Sequence, residues 1–534
     1  MILSRFRFAV FAALAALASS LSAQHDHLGR VVFPVSCNPA AQQRFEHAMA
    51  LLHSFWWDQG QSAFQAVAQA DSTCAMAYWG LALTAWGNPF AGGPGGPVGR
   101  GEPLRRGAAA AERAVALSAP TPRERGFLAA AAALYRGSDS IPNARRLQAS
   151  SDTLARLYHD LPNDTEVAIY YALSLVETAP KTDTTFTRQK RAAEILNPLF
   201  QQFPDHPGLA HYIIHANDSP RLASLGLDAA RRYANIAPAA PHAQHMPSHI
   251  FVRLGLWNET IGANQRSFEA TRDAQGPPLA PPDAFHALDY LVYAYLQEGR
   301  DHESRTAIAL AQGLTSAAPN DMLVVNYNRV ALEARLPLER GDWPAASQLP
   351  VRANALTIGA ALAHFARGIG AARVFDTTRA DSEVAALREI EADMTRRGDN
   401  DWARVVGIEH QAALAWTELA AGDTATALRD AKAAADLEDI TEKQPVTPGE
   451  LLPARELEAD MLLAVHRYAE AHAAYEQSLA RAPNRARSLY GSARASELAG
   501  DRAAARPRYL QFLAQMQPGD GDRVEIARAR IALR

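Results

Sequence analysis

Cysteine is scarce in this chain: 534 residues hold two, Cys37 and Cys74. That leaves little room for a nucleophilic thiol, and no Cys-x-x-Cys-His haem-attachment motif is present. Charge of one sign is lacking as well. The formal net charge is −4, so nothing points to nucleic acid or an anionic membrane as a partner. Beyond the N-terminus no stretch approaches the ~18 uninterrupted apolar residues of a transmembrane helix. His-Glu-x-x-His, Gly-x-Ser-x-Gly and Walker motifs are also missing. Hydrophobic residues at 48% and charged residues at 21% are ordinary for a folded soluble protein.

The first 23 residues read as a secretory signal. Arg5 and Arg7 form the positive end, Phe8 to Ala18 is a short apolar run, and Leu21-Ser22-Ala23 offers a cleavage point. An uncleaved membrane anchor is the alternative. Cleavage implies a periplasmic or extracellular protein in an oxidising compartment. Cys37 and Cys74 are then expected to form a disulfide stapling the first structural unit, worth about 3–4 kcal/mol in the chain-entropy model. Two buried thiols are the other possibility. His25 and His27 fall in the segment 24–38 just after the cleavage point and read as a solvated tail.

What the chain does have is a repeat. Ala459, His466, Tyr468, Ala471, Tyr475, Leu479 and Pro483 are followed 34 residues later by Ala493, Gly500, Ala505, Tyr509 and Leu513. Small residues, interleaved aromatics and a Pro stop describe two packed helices and a break. The pattern resembles the tetratricopeptide repeat family, in which small residues let paired helices approach and aromatics fill the gap. One unit cannot bury its own apolar face, so the resemblance implies an all-α solenoid of about eleven or twelve helix pairs. The protein would be of an exported bacterial type.

The register extends over nearly all of Pro39 to Gly519. An N-terminal array would cover 39–275, a Pro-rich insertion 276–284, a second array 285–519 and a capping helix 520–534. Trp57, Gly60, Phe64 and Ser72 fit the first unit, and Pro162 and Pro204 close later ones. Asn88 to Gly101 is a Gly/Pro-rich loop. Turns are expected at Leu254-Gly255-Leu256-Trp257, Gln297-Glu298-Gly299-Arg300, Gly341-Asp342-Trp343 and Gly422-Asp423. The stretch Ala353 to Asn400 is helical by composition but has no clear register.

In the family, positions 2, 5, 9 and 12 or 13 of each unit line a concave ligand groove. Counting on from Pro204 puts His211, His215 and Asp218 at positions 5, 9 and 12, and His242, His245 and His249 at 2, 5 and 9 of the next unit. His286, Asp289 and Tyr293 take 2, 5 and 9 further on. Imidazoles at i and i+4 share a helical face and can grip one ion. His211, His215, His245 and His249 form two ladders 34 residues apart, and at least three of them are expected to converge. Histidine-rich sites suit Zn, Cu, Fe or Ni, and six imidazoles allow two ions with three ligands each. Asp218 and Asp289 would be ligands or would orient an imidazole. His53, Trp79, Trp86 and Tyr293 are expected as groove contacts, with His53 several repeats away from the cluster. His302, His364, His410, His466 and His472 stand singly and read as surface residues.

Two functions follow. One is an exported solenoid with a metal site in its groove, for storage, delivery or metal-dependent catalysis by residues still unknown. The other is a metal-free scaffold that binds a peptide or partner protein, as the fold commonly does.

Overall fold

A computed structural model describes residues 27–91, 101–275, 279–316, 323–352 and 357–534. Among these residues the protein is all-α. The one sheet is a parallel pair of two-residue strands, Leu279–Ala280 and Thr315–Ser316. The signal segment and most of the Asn88 to Gly101 loop lie outside the described residues, as do 276–278.

Helices follow one another as hairpins: Pro39–His53 with Trp57–Ala70, Ala75–Trp86 with Glu102–Ala116, and so on to Arg502–Gln515 and the terminal Val524–Ala532. Most pack on their chain neighbours, and many also pack on the next helix but one, which is how an α-solenoid buries its apolar faces. No described helix is long and apolar enough to cross a membrane.

The small-residue rule holds atom by atom. Ala459, Ala471 and Ala493 are fully buried and Ala505 is 3% exposed. A Cβ on Gly491 would lie 2.3 Å from the Tyr475 ring, and one on Gly80 2.2 Å from the Phe64 ring. The aromatics therefore occupy space that a larger residue opposite would need.

Turns repeat too. Gly255, Gly299, Gly341, Gly398, Gly422 and Gly500 have positive φ, and Phe55, Phe375 and His466 stand at equivalent points with φ of 52°, 62° and 63°. The next residue is often an Asp that caps the following helix: Asp342, Asp376, Asp423 and Asp501 each accept a bond from the backbone N–H three residues on. The unregistered stretch is an ordinary hairpin, Thr357–Arg373 and Thr377–Arg396. Its turn carries Phe375 in place of glycine, which removed the mark by which a turn is read.

The chain divides into two compact units. Unit 1 takes in the described residues up to Ala179, with Phe186–Asn217 and Gly226–Pro247; unit 2 takes in Pro180–Thr185, Asp218–Leu225 and Ser248–Arg534. Within unit 1, Cys37 and Cys74 form a disulfide with Cα atoms 5.1 Å apart. Asn38 ties the same junction, capping Ala41 N–H and donating to the Ala70 carbonyl.

Unit 1 does not obey the nearest-neighbour expectation of an open array. The Pro207–Asn217 helix packs on the first helix, Pro39–His53. Arg30 N–H donates to the Asp205 carbonyl and Ala239 N–H to the His27 carbonyl. His53 is therefore not several repeats from the histidine cluster but against it.

Candidate metal centre

The helix Pro207–Asn217 carries His211 and His215 one turn apart, so both rings project from one face. His242 comes from the short helix Pro241–His245. These three imidazoles offer ring nitrogens that all lie within 4.8 Å of one another. Nε2 of His211 and Nε2 of His215 are 3.1 Å apart. His211 is fully buried and the other two are half-buried.

Second contacts fix the rings. The His53 carbonyl, 2.7 Å from His211 Nδ1, can only accept, so Nδ1 carries the proton and Nε2 faces His215 with its lone pair. His211 stacks on Tyr233, His215 on Phe90 at 4.0 Å between centroids, and His242 on Phe55 at 5.4 Å. Phe55 also meets His211 edge-on at 4.4 Å.

Behind His211 lies a buried polar network. Glu166 accepts from His53 Nε2 at 3.1 Å through one oxygen and from His206 Nε2 at 3.0 Å through the other. His53 Nδ1 meets the Tyr212 hydroxyl at 3.1 Å. Burial opposes a charge on Glu166, but His53 and His206 outweigh it and hold the carboxyl down at about 2. Burial lowers His53, against the pull of Glu166. Gly208 makes room for this packing, since a Cβ there would sit 2.5 Å from His53 Nδ1. His53, Glu166 and His206 also bring ligand atoms within 4.8 Å of one another. Each imidazole already spends its Nε2 on the carboxylate, so the set holds itself together as hydrogen bonds.

His245 and His249 stand on successive helices, Pro241–His245 and Pro247–Arg253. Pro247 has no N–H to give, and the helix breaks at Met246. His245 is 6.2 Å ring to ring from His242 and is not in the triad, which His242 completes instead. His249 and His286 belong to unit 2, with centroids 6.0 Å apart and both rings beside Tyr290. Asp218 orients an imidazole, accepting from His249 Nδ1 at 2.8 Å. Burial opposes the Asp218 charge, but Lys443 and Arg253 hold the carboxyl well below its usual range. Burial pushes Lys443 down to about 8 and lowers His249.

Three of the remaining expected residues are engaged elsewhere. Asp289 is held by Arg335 through both oxygens at 2.6 and 3.2 Å, and neither side chain is exposed, so it serves no imidazole. Tyr293 lies between Arg335 and Arg485 and accepts from the latter. Trp79 is core, packed among Phe33, Phe45, Phe127 and Tyr170. Trp86 lines a cavity. Of the single histidines, His364 and His410 are half-buried on Glu383 and Glu391, and His472 on Ser492 and Ser496. His302 and His466 are exposed.

Phe55, Phe90, Tyr233, Glu166 and His206 were not legible as site residues. His206 lies outside the groove positions, and the others are brought in by packing between distant helices.

No family model matches this sequence, and no curated protein does either. Among solved structures the chain is similar to yeast Tom70, at 11% identity and a TM-score of 0.32, over 92% of this chain and 95% of that one. It is also similar to the human IFIT1 dimer with PPP-AAAA, at 12% identity and a TM-score of 0.33, over 78% and 87%. At these scores the likeness assigns neither a family nor a ligand.

Proposed function

We propose that this is an exported metal-binding protein in which His211, His215 and His242 hold a transition-metal ion. The observation that carries the reading is the 3.1 Å separation of His211 Nε2 and His215 Nε2, with His242 completing the set. Ligands bonded at ~2.0–2.1 Å to one ion lie roughly 3 Å apart, whether the angle between them is near 90° or tetrahedral. The His53 carbonyl supports it by fixing the His211 tautomer in which the Nε2 lone pair points towards His215. Zn, Cu and Fe suit such a donor set. Three nitrogens leave coordination positions open, which is the arrangement that activates water or oxygen, as well as one that stores or delivers an ion. The Cys37–Cys74 disulfide and the N-terminal signal pattern support export.

Binding a peptide in a metal-free groove rests on fold type alone. The burial of His211 and the aromatic packing of all three rings weigh against it.

Elemental analysis of the exported protein, before and after reconstitution with Zn, Cu or Fe, is the test. One ion per triad is expected, lost in His215→Ala and His242→Ala while helical circular dichroism is kept. A protein that takes up none of the three metals after reconstitution ends the proposal.

A further inference from the structure

Beside the triad, within unit 1, is a cavity whose walls include Phe55, Trp57, Trp86, Tyr170 and Tyr212. Phe55 and Tyr212 also pack on His211, at 4.4 and 5.1 Å between centroids. Among the described lining residues one is acidic, Glu177, and none is Lys, Arg or His. Glu177 is half-buried as a residue, yet its Oε1 is sealed from solvent and has no hydrogen-bond partner. The Tyr170 hydroxyl, on the same wall, is in the same condition.

A carboxyl oxygen sealed in apolar surroundings without a hydrogen-bond partner costs free energy in either protonation state. The natural complement of a carboxylate is a cation. Aromatic rings attract cations as well, through the negative potential of their faces, most strongly where water is excluded. The two features of this cavity therefore select the same ligand. A neutral molecule would use the rings and leave the carboxyl unanswered; an anion would be repelled by it.

We propose that the cavity binds an organic cation, an alkyl- or arylammonium group, with Glu177 as counter-ion and Trp57, Trp86 and Tyr170 as its aromatic walls. The site is distinct from the triad and does not require a metal. Burial pushes the Glu177 carboxyl up to about 8, against the pull of the Trp86 indole N–H. The Tyr170 and Tyr212 phenols are held well above their ordinary value by burial, and the Arg146 guanidinium, 5.5 Å from the Trp86 ring centroid, is not part of the lining. Below about pH 8 a permanent cation must displace the Glu177 proton, so affinity rises with pH and levels off above that value.

Calorimetric titration of the metal-free full chain with benzyltrimethylammonium and with benzylammonium, and with uncharged benzyl alcohol as control, tests this. At pH 8.5 at least one cation should bind tenfold or more tightly than benzyl alcohol. Affinity should fall as the pH is lowered to 6.5. Glu177→Gln should weaken cation binding at least tenfold and abolish the pH dependence, with the thermal midpoint retained. Should that variant unfold, Trp86→Leu and Tyr170→Leu carry the test and should each weaken the cation more than the alcohol. Absence of binding by both cations, undiminished binding in the variants, or equal affinity for benzyl alcohol overturns the proposal. Because metal-free protein is used, none of these results depends on the triad.

Discussion

His211 Nδ1 donates to the backbone carbonyl of His53, 158 residues earlier in the chain, at 2.7 Å. The acceptor is backbone, so the orientation of His211 depends on where the end of the first helix sits. The His53 side chain secures that position through Glu166 and Tyr212.

Replacing Glu166 by Gln leaves one of the two imidazole N–H groups facing the amide NH2, a donor that cannot accept it. We expect a loss of about 1–3 kcal/mol in stability, the cost of a buried polar group left unsatisfied. The pH dependence should change as well. Glu166 is held at about 2, below its ordinary value of 4.5, so its contribution is complete above about pH 4.5 and is lost as pH falls towards 2. Urea denaturation between pH 2.5 and 6 reads this: the wild type should weaken on acidification more steeply than the variant. Parallel curves would mean the carboxylate is not the anchor described.

Gly208→Ala places a methyl group 2.5 Å from His53 Nδ1. That ring is fixed at both nitrogens and has nowhere to go. A cost of about 1–3 kcal/mol is expected, despite the usual gain from removing glycine within a helix. A thermal midpoint at or above wild type contradicts the packing.

The Cys37–Cys74 bond should be present in protein purified from an oxidising compartment, with no thiol titratable in denaturant. Cys37→Ser with Cys74→Ser should lower stability by about 3–4 kcal/mol. Two titratable thiols per chain would remove the disulfide.

Ala471→Leu inserts bulk between helices where the native methyl has no exposed surface. Overpacking there should cost about 1–3 kcal/mol, seen as a lower urea midpoint with an unchanged slope. An unchanged midpoint would place Ala471 outside the joint.

The fold was legible because its marks are local. Small residues such as Ala459 and Ala493, glycines at turns and prolines after helices act within a few residues of where they stand. The reading stopped at Ala353 to Asn400 because Phe375 stands where glycine usually marks the turn. The site was partly legible for a related reason. His211 and His215 share a face by helical spacing alone, which sequence displays. That His242 rather than His245 joins them depends on how separate helices meet, since both stand on the Pro241–His245 helix. His53 was misplaced because counting repeats measures distance along the array, whereas unit 1 brings its first helix back onto the Pro207–Asn217 helix.

Phe55 gives that return a further meaning. It holds a left-handed backbone conformation costing about 1–2 kcal/mol, at a turn where glycine would be free of the penalty. Its ring meets His211, His215 and His242. In repeat proteins the terminal hairpin is the part most prone to fray, because it has one neighbour instead of two. Here fraying would withdraw Phe55 and the His53 carbonyl together and dissolve the imidazole cluster. By linkage, an ion bound there would clamp the end of the array, tightening with free ion concentration. Protease resistance of the first hairpin would then report on the supply of metal in the compartment.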